Sequence, residues 1–283
     1  MKDFEVEIKE NVKISADFYR LSFFWDKNWG QPLAGNFCEI KVNNLTTPML
    51  RRPFAFSGFD EHSQTAEIIY QKRGTATSIL SHKSGLKSTI ETTEQKEDDC
   101  ASESFFVSFE DDFVCDKIKV LAPLGNSFYY DSKISNKKRV FAVAGGVGLG
   151  PILFAVKTAP FPAGLIAGFR TEELIPDNAI FAGIKTAFCT DDGSAGFNGN
   201  VVDFLKRTDI NSDDLIVACG PTPMLKALHN FATERNILCK VSMEEMMACG
   251  IGVCMGCVCE TTSGNKRVCR EGPVFDGSEL IWA

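Results

Sequence analysis

Five of the chain's eleven cysteines fall between Cys249 and Cys269, and four of them keep the spacing C-x4-C-x2-C-x11-C: Cys249, Cys254, Cys257 and Cys269. That is the ligand order of a plant-type [2Fe–2S] cluster. Three closely spaced thiolates wrap one side of a small cluster only where the backbone turns tightly and aims its N–H groups at sulfur. Gly250, Gly252 and Gly256 stand between them and carry no Cβ to obstruct such turns. Lys266, Arg267 and Arg270 flank the distant fourth cysteine with positive charge that offsets an anionic cluster. Zinc also takes four thiolates, but it more often uses two C-x2-C knuckles, and one such pair is present. Cys259 reads as a small buried apolar residue rather than a ligand.

A chain of 283 residues is long enough for two domains with separate cores. The N-terminal segment from Met1 to Glu10 has no apolar signal stretch, which points to a reducing cytoplasm where clustered cysteines mean metal rather than disulfides. A net charge of -7 argues against nucleic acid as a partner. The uncharged run from Val140 to Val156 is short for a membrane span and is broken by glycines and Pro151, so a buried strand and a glycine loop explain it better.

The second half alternates strand-like and helix-like stretches. Val140 to Ala144 leads into a helix over Pro151 to Val156. Gly164 to Phe169 and Lys185 to Thr190 read as strands, followed by a helix near Val201 to Lys206. Leu215 to Cys219 precedes a helix with Thr222 as N-cap, Pro223 at its first position, and Leu225, Leu228 and Phe231 on one face. Such alternation implies a parallel sheet whose ligands bind at the carboxyl ends of the strands. Gly145, Gly146 and Gly148 lie at one such end and Cys219, Gly220 and Pro221 at another, which makes a nicotinamide dinucleotide the leading ligand. Pro151 replaces the third glycine of the usual fingerprint. Glu172 and Glu173 stand near the ribose-binding position, Arg170 follows the same strand, and the reading leans to NAD over NADP.

The first 130 residues differ. Phe4, Val6 and Ile8 alternate with Glu5, Glu7 and Lys9, and short runs recur at Phe37 to Val42, Phe54 to Phe59, Ala66 to Gln71 and Lys117 to Leu121. An antiparallel barrel or sandwich is expected. The expected class is therefore β plus α/β, divided as a flavin-binding β-barrel over residues 1–130, a nucleotide-binding α/β domain over 139–241 and a cluster-binding segment over 242–283. Arg51-Arg52-Pro53-Phe54 ends one strand, and Gly74-Thr75 opens a short helix running to about Ser81. An arginine facing a helix start suits a diphosphate. Electron counting asks for a flavin: nicotinamide exchanges two electrons at once, a cluster passes one, and a flavin converts between them.

These residues carry a family resemblance over nearly the whole chain. Arg51-Arg52-Pro53-Phe54, Pro123-Leu124-Gly125-Asn126, Ala144 to Pro151, Thr190 to Ser194, Ala218 to Pro221, the tail from Ser242 to Cys269 and Gly272 to Asp276 resemble the iron–sulfur flavoprotein subunits of dihydroorotate dehydrogenase B, within the ferredoxin reductase superfamily. The resemblance implies FAD at Arg52, Pro53, Phe54, Ala55, Gly74 and Thr75, with Cys219 near the nicotinamide and Cys249, Cys254, Cys257 and Cys269 on the cluster. It also implies a cytoplasmic heterotetramer of two such chains with two FMN-containing catalytic subunits that oxidise dihydroorotate in pyrimidine biosynthesis. Electrons would run from the partner's FMN through cluster and FAD to NAD⁺.

The chain departs from the pattern in places. Ala55 lacks the usual hydroxyl, and Ser57 shares its side of the strand only if the register is regular. Met246 and Ala122 replace an arginine and a glycine. Residues 91–104 form an apparent insertion with six acidic residues against Lys96 alone, and Cys100 within it is not expected to be a ligand. His62, His82 and His229 show no base or nucleophile pattern, so oxidation of the organic substrate is expected on the partner chain. The alternatives are the same module serving a hydrogenase or glutamate synthase-like enzyme, and a zinc-stabilised, non-enzymatic interaction protein.

Overall fold

The computed structural model describes residues 2–43, 47–85 and 117–282. The acidic insertion at 91–104 and Cys100 lie outside them. Six antiparallel strands come first: β1 (Lys2–Lys13), β2 (Phe18–Phe24), β3 (Phe37–Lys41), β4 (Arg52–Asp60), β5 (Thr65–Gln71) and β6 (Lys117–Leu124), with helix α1 (Thr75–Ser81) after β5. They close into a barrel in the order β1-β2-β5-β4-β3-β6. Alternation explains the closure, since in β6 Ile118, Val120 and Ala122 point inward and Lys117, Lys119 and Leu121 do not. Ile8, Leu21, Phe23, Phe56 and Ile68 fill the interior with essentially no exposure.

The rest of the chain builds a seven-stranded sheet. Its strands are β7 (Arg139–Gly145), β8 (Ala163–Phe169), β9 (Thr186–Thr190), β10 (Phe197–Asn198), β11 (Asp214–Cys219) and β12 (Leu238–Ser242). A hairpin of β13 (Val258–Thr261) and β14 (Gly264–Arg267) follows, and then β15 (Val274–Asp276) returns to the sheet. The order is β10-β9-β8-β7-β11-β12-β15, parallel except for β15. Helices α2 (Leu149–Lys157), α3 (Val201–Leu205) and α4 (Thr222–Glu234) cover its faces.

Successive residues of the central strands serve two cores. Ala142, Ala144 and Val217 turn toward α2 and the barrel, whereas Val143, Ile216 and Ala218 turn toward α4 and the cysteine-rich tail. Leu149, Ile152 and Leu153 of α2 share one apolar cluster with Phe56 and Ile69 of the barrel. Full burial of each such side chain contributes about 1.5–3 kcal/mol, so the barrel and the sheet are joined by packed hydrocarbon.

Three expectations are corrected. Arg51-Arg52-Pro53-Phe54 opens a strand rather than ending one, because β4 begins at Arg52. The helix after β11 starts one residue early: Pro221 is its N-cap, its carbonyl accepting from Met224 N and Leu225 N, so Thr222 is the first helical residue and Pro223 the second. Ser57 does not sit in a regular register, because β4 slips against β5 between Phe56 and Gly58. The polar stretch between β6 and β7 is anchored rather than free: Asp131 accepts from Lys240 Nζ at 3.0 Å and Lys133 Nζ donates to Asp276 at 2.6 Å. Among the described residues no helix is long and apolar enough to cross a membrane.

Candidate functional site

β7 and β11 are neighbours whose connections leave in opposite directions, toward β8 and toward β12, and in open α/β sheets the carboxyl ends of two such strands are where ligands bind. Gly145, Gly146 and Gly148 lie at one of these ends and Cys219, Gly220 and Pro221 at the other. The two loops touch: a Cβ on Gly148 would meet the Cys219 carbonyl and stand 2.8 Å from Gly220 N, while Gly146, at φ +54°, faces open space. The Cys219 thiol is buried, and burial pushes its pKa up, with Glu244 adding to the rise and a Ser242 hydrogen bond opposing it. It is therefore a neutral thiol at the carboxyl end of β11. Desolvation likewise raises the Glu244 carboxyl, against the pull of Arg73 on the barrel. Glu172 and Arg170 lie beyond the end of β8. Glu172 N donates to Ser194 Oγ at 2.8 Å, and Asp192 accepts from the same hydroxyl at 2.6 Å, tying the loops after β8 and β9 together.

On the barrel, an open depression of about 1120 Å³ is lined by Gly74 and Thr75 together with Lys13, Lys72, Arg73 and His82. Basic side chains around an accessible turn fit an anionic diphosphate. Arg52, Pro53, Phe54 and Ala55 do not line it; they stand on β4, and Phe54 reaches it through rings. Phe54 packs edge-on against Tyr70 at 5.9 Å, and Tyr70 stacks on Tyr19, which lines the depression, at 5.4 Å. Among the described residues Arg52 donates to the carbonyls of Leu50 and Arg51, both from Nη1. Ser57 Oγ, buried where α2 approaches at Gly150, has no partner among the described residues.

The four tail cysteines form two pairs. Cys254 N donates to Cys249 Sγ, and Cys269 N donates to Cys257 Sγ, each at 3.4 Å. Burial acts to raise the Cys249 pKa, but backbone N–H groups of Cys254, Ile251 and Val253 outweigh it and hold the thiol at about 6. No three His, Cys, Asp or Glu side chains among the described residues converge as they would on a single ion. Four thiolates at this spacing are a donor set that could hold a [2Fe–2S] cluster. Cys257 and Cys269 are buried, whereas Cys254 is exposed between Val253 and Met255 in the chain, and both of these and Met246 are also exposed. Gly250, at φ +63°, rests on the barrel, where a Cβ would lie 2.5 Å from the Glu39 carboxyl carbon. Glu39 is buried, and desolvation and the nearby Cys249 raise its pKa to about 7. Cys259 packs on the apolar cluster of the tail.

Residues 244–281 match the family described as the iron–sulfur cluster binding domain of dihydroorotate dehydrogenase B. The electron transfer subunit of dihydroorotate dehydrogenase B (NAD⁺) from Caldanaerobacter subterraneus subsp. tengcongensis is 33% identical, with 98% of each chain covered. The chain belongs to that family of electron transfer subunits. The Bacillus pumilus subunit of the same name is 32% identical over 99% of this chain and 98% of its own. Among solved structures, the NADH-dependent reduced ferredoxin-NADP oxidoreductase superposes with a TM-score of 0.72 at 26% identity, covering 98% of this chain and 90% of that one. A ferredoxin NADP⁺ reductase from Neisseria gonorrhoeae shares the fold, with a TM-score of 0.61 at 13% identity over 86% of this chain and all of the other. As a member of the dihydroorotate dehydrogenase B electron transfer family, this is an oxidoreductase subunit that works with a catalytic partner. Glu39 and Glu244 are the site neighbours that sequence reading missed. Neither stands in a motif whose chemistry announces it, and both reach the site through tertiary contacts.

Proposed function

We propose that the chain passes electrons between a catalytic partner and NAD⁺, with a [2Fe–2S] cluster on Cys249, Cys254, Cys257 and Cys269, FAD on the barrel, and NAD(H) at the carboxyl ends of β7 and β11. The observation that carries this reading is the set of four tail thiols held in N–H to sulfur hydrogen-bonded loops on a chain that belongs to the electron transfer family. When bound, FAD supplies the conversion between two-electron and one-electron transfer, and the cluster carries single electrons.

The chain's own residues do the positioning. Arg52 would reach the flavin diphosphate from β4, outside the depression that Gly74 and Thr75 line, and Pro53, Phe54 and Ala55 would meet the flavin. Gly145, Gly146 and Gly148 admit the NAD phosphates, and Cys219, Gly220 and Pro221 border the nicotinamide. The uncharged Cys219 thiol keeps that end of the site free of fixed charge. At the other end, exposed Cys254 would give the cluster an edge at the surface, and its exposed neighbours Val253 and Met255 would give a partner apolar contact there. The partner is an FMN-containing subunit that oxidises dihydroorotate, two of each chain assemble, and the complex is cytoplasmic.

The test is anaerobic purification, with visible spectra before and after NADH and with flavin, iron and sulfide assayed on one sample. Flavin and cluster bands that bleach together are expected. Bound zinc without iron absorption would refute the cluster. Copurification of a dihydroorotate-oxidising subunit tests the partner.

A further inference from the structure

Two sequence motifs have no role in the scheme above: Pro123-Leu124-Gly125-Asn126 at the end of the barrel and Gly272-Pro273-Val274 in the tail. They meet. Asn126 N donates to Gly272 O at 2.8 Å. Asn126 Nδ2 donates to Glu271 O at 3.1 Å and Val274 O at 2.8 Å, and its Oδ1 accepts from Val274 N at 2.9 Å. Gly125, at φ +75°, lies so close to Pro273 that no Cβ fits.

The contact extends in both directions. Toward the barrel, Asn36 Nδ2 donates to Gly125 O at 3.0 Å and Asn126 O at 3.1 Å, and Asn36 O accepts from Phe56 N of β4 at 3.1 Å. Toward the tail, the Glu271 carboxylate accepts from Arg267 N at 2.7 Å, from Nε at 3.0 Å and from Nη2. Arg267 Nη1 in turn donates to Gly252 O at 2.6 Å, inside the loop between Cys249 and Cys254. Hydrogen bonds thus run unbroken from β4, two residues past Phe54, to the cysteine loop. The Arg267–carboxylate fork fixes direction as well as distance.

We propose that Asn126 and Arg267 are positioning residues: with Asn36 and Glu271 they form a strut that sets the cysteine loop relative to β4, and so the rate at which one electron passes between flavin and cluster. This rests on the proposed placement of FAD along β4 and of the cluster on the four cysteines. In the step concerned, the flavin gives up one electron and the cluster gains it, and no other reactant is needed.

The experiment uses the purified chain carrying both cofactors, as wild type, Asn126→Ala and Arg267→Lys. Lysine keeps the charge but cannot make the fork. After rapid mixing with NADH, flavin and cluster reduction are followed separately, alongside flavin and iron content, cluster midpoint potential, and amide exchange across residues 250–256. Expected are unchanged flavin reduction and midpoint potential in Asn126→Ala, faster amide exchange in both variants, and cluster reduction slowed well beyond twofold in both. Cluster reduction within twofold of wild type in both variants would overturn the strut. So would slowing that merely tracks lost iron, or slowing confined to Arg267→Lys together with a shifted potential, which would assign the effect to charge. A wild-type chain lacking flavin or iron would instead sink the underlying functional reading.

Discussion

Gly148→Ala probes the proposed dinucleotide site directly. The added methyl would fall on the Cys219 carbonyl and lie 2.8 Å from Gly220 N, where ordinary contact begins at 3.4 Å. All the obstructing atoms are backbone, so no side-chain rotation relieves the clash, and the loops after β7 and β11 must part by more than half an ångström. Overpacking of this kind costs about 1–3 kcal/mol. If the loops spread to relieve it, NADH has to draw them back, and the strain appears as a KM for NADH raised by roughly fivefold to 150-fold. Gly164→Ala is the matched control, because its Cβ would meet only Lys185 O, at an ordinary 3.7 Å. The assay is steady-state NADH oxidation with an artificial acceptor, together with flavin content, iron content and thermal unfolding. Gly148→Ala is expected to keep FAD and iron while losing NADH affinity. A KM within twofold of wild type in a folded variant would refute the reasoning, since it would put the dinucleotide away from these loops.

Cys254→Ser is expected to lose the cluster and keep FAD, whereas Cys259→Ser keeps both, as read by iron, sulfide and flavin assays; identical behaviour would mean the ligand set is wrong. Arg52→Ala removes charge-assisted hydrogen bonds worth about 1.5–3 kcal/mol each, so flavin retention on dilution should weaken by at least tenfold. Unchanged flavin content would move the diphosphate off β4.

Much of the fold was legible because apolar periodicity matched it: the alternation of β1 and β6 and the glycine-ended β7 stand where the sequence puts them. The elements that were not legible share a cause. β2 buries Ser22 beside Leu21 and Phe23, so it lacks strict alternation. β12 has Lys240 at its centre, a residue that reads as solvent-facing until Asp276 and Asp131 are seen to receive it, at 3.1 and 3.0 Å. β15 has three residues, too few for any period, and is a strand only because β12 offers it an edge. The same holds at the site. Cysteine spacing is local and was readable; that Glu39 lies under Gly250 depends on segments far apart in the chain.

The shared core bears on how such a subunit works. Interfaces between domains of one chain are usually small and polar enough to permit relative motion. Here α2 follows directly on the glycine loop proposed for the dinucleotide and buries Leu149, Ile152 and Leu153 in the same apolar cluster as Phe56 and Ile69 of the barrel. β15 then adds the cysteine-rich tail to the sheet beside β12, and Asn126 ties that tail to the barrel. A hinge between any two of these parts would have to break packed hydrocarbon or a run of hydrogen bonds. The three sites are therefore held by one continuous framework, which suits a device whose task is to keep two-electron and one-electron centres at constant separation.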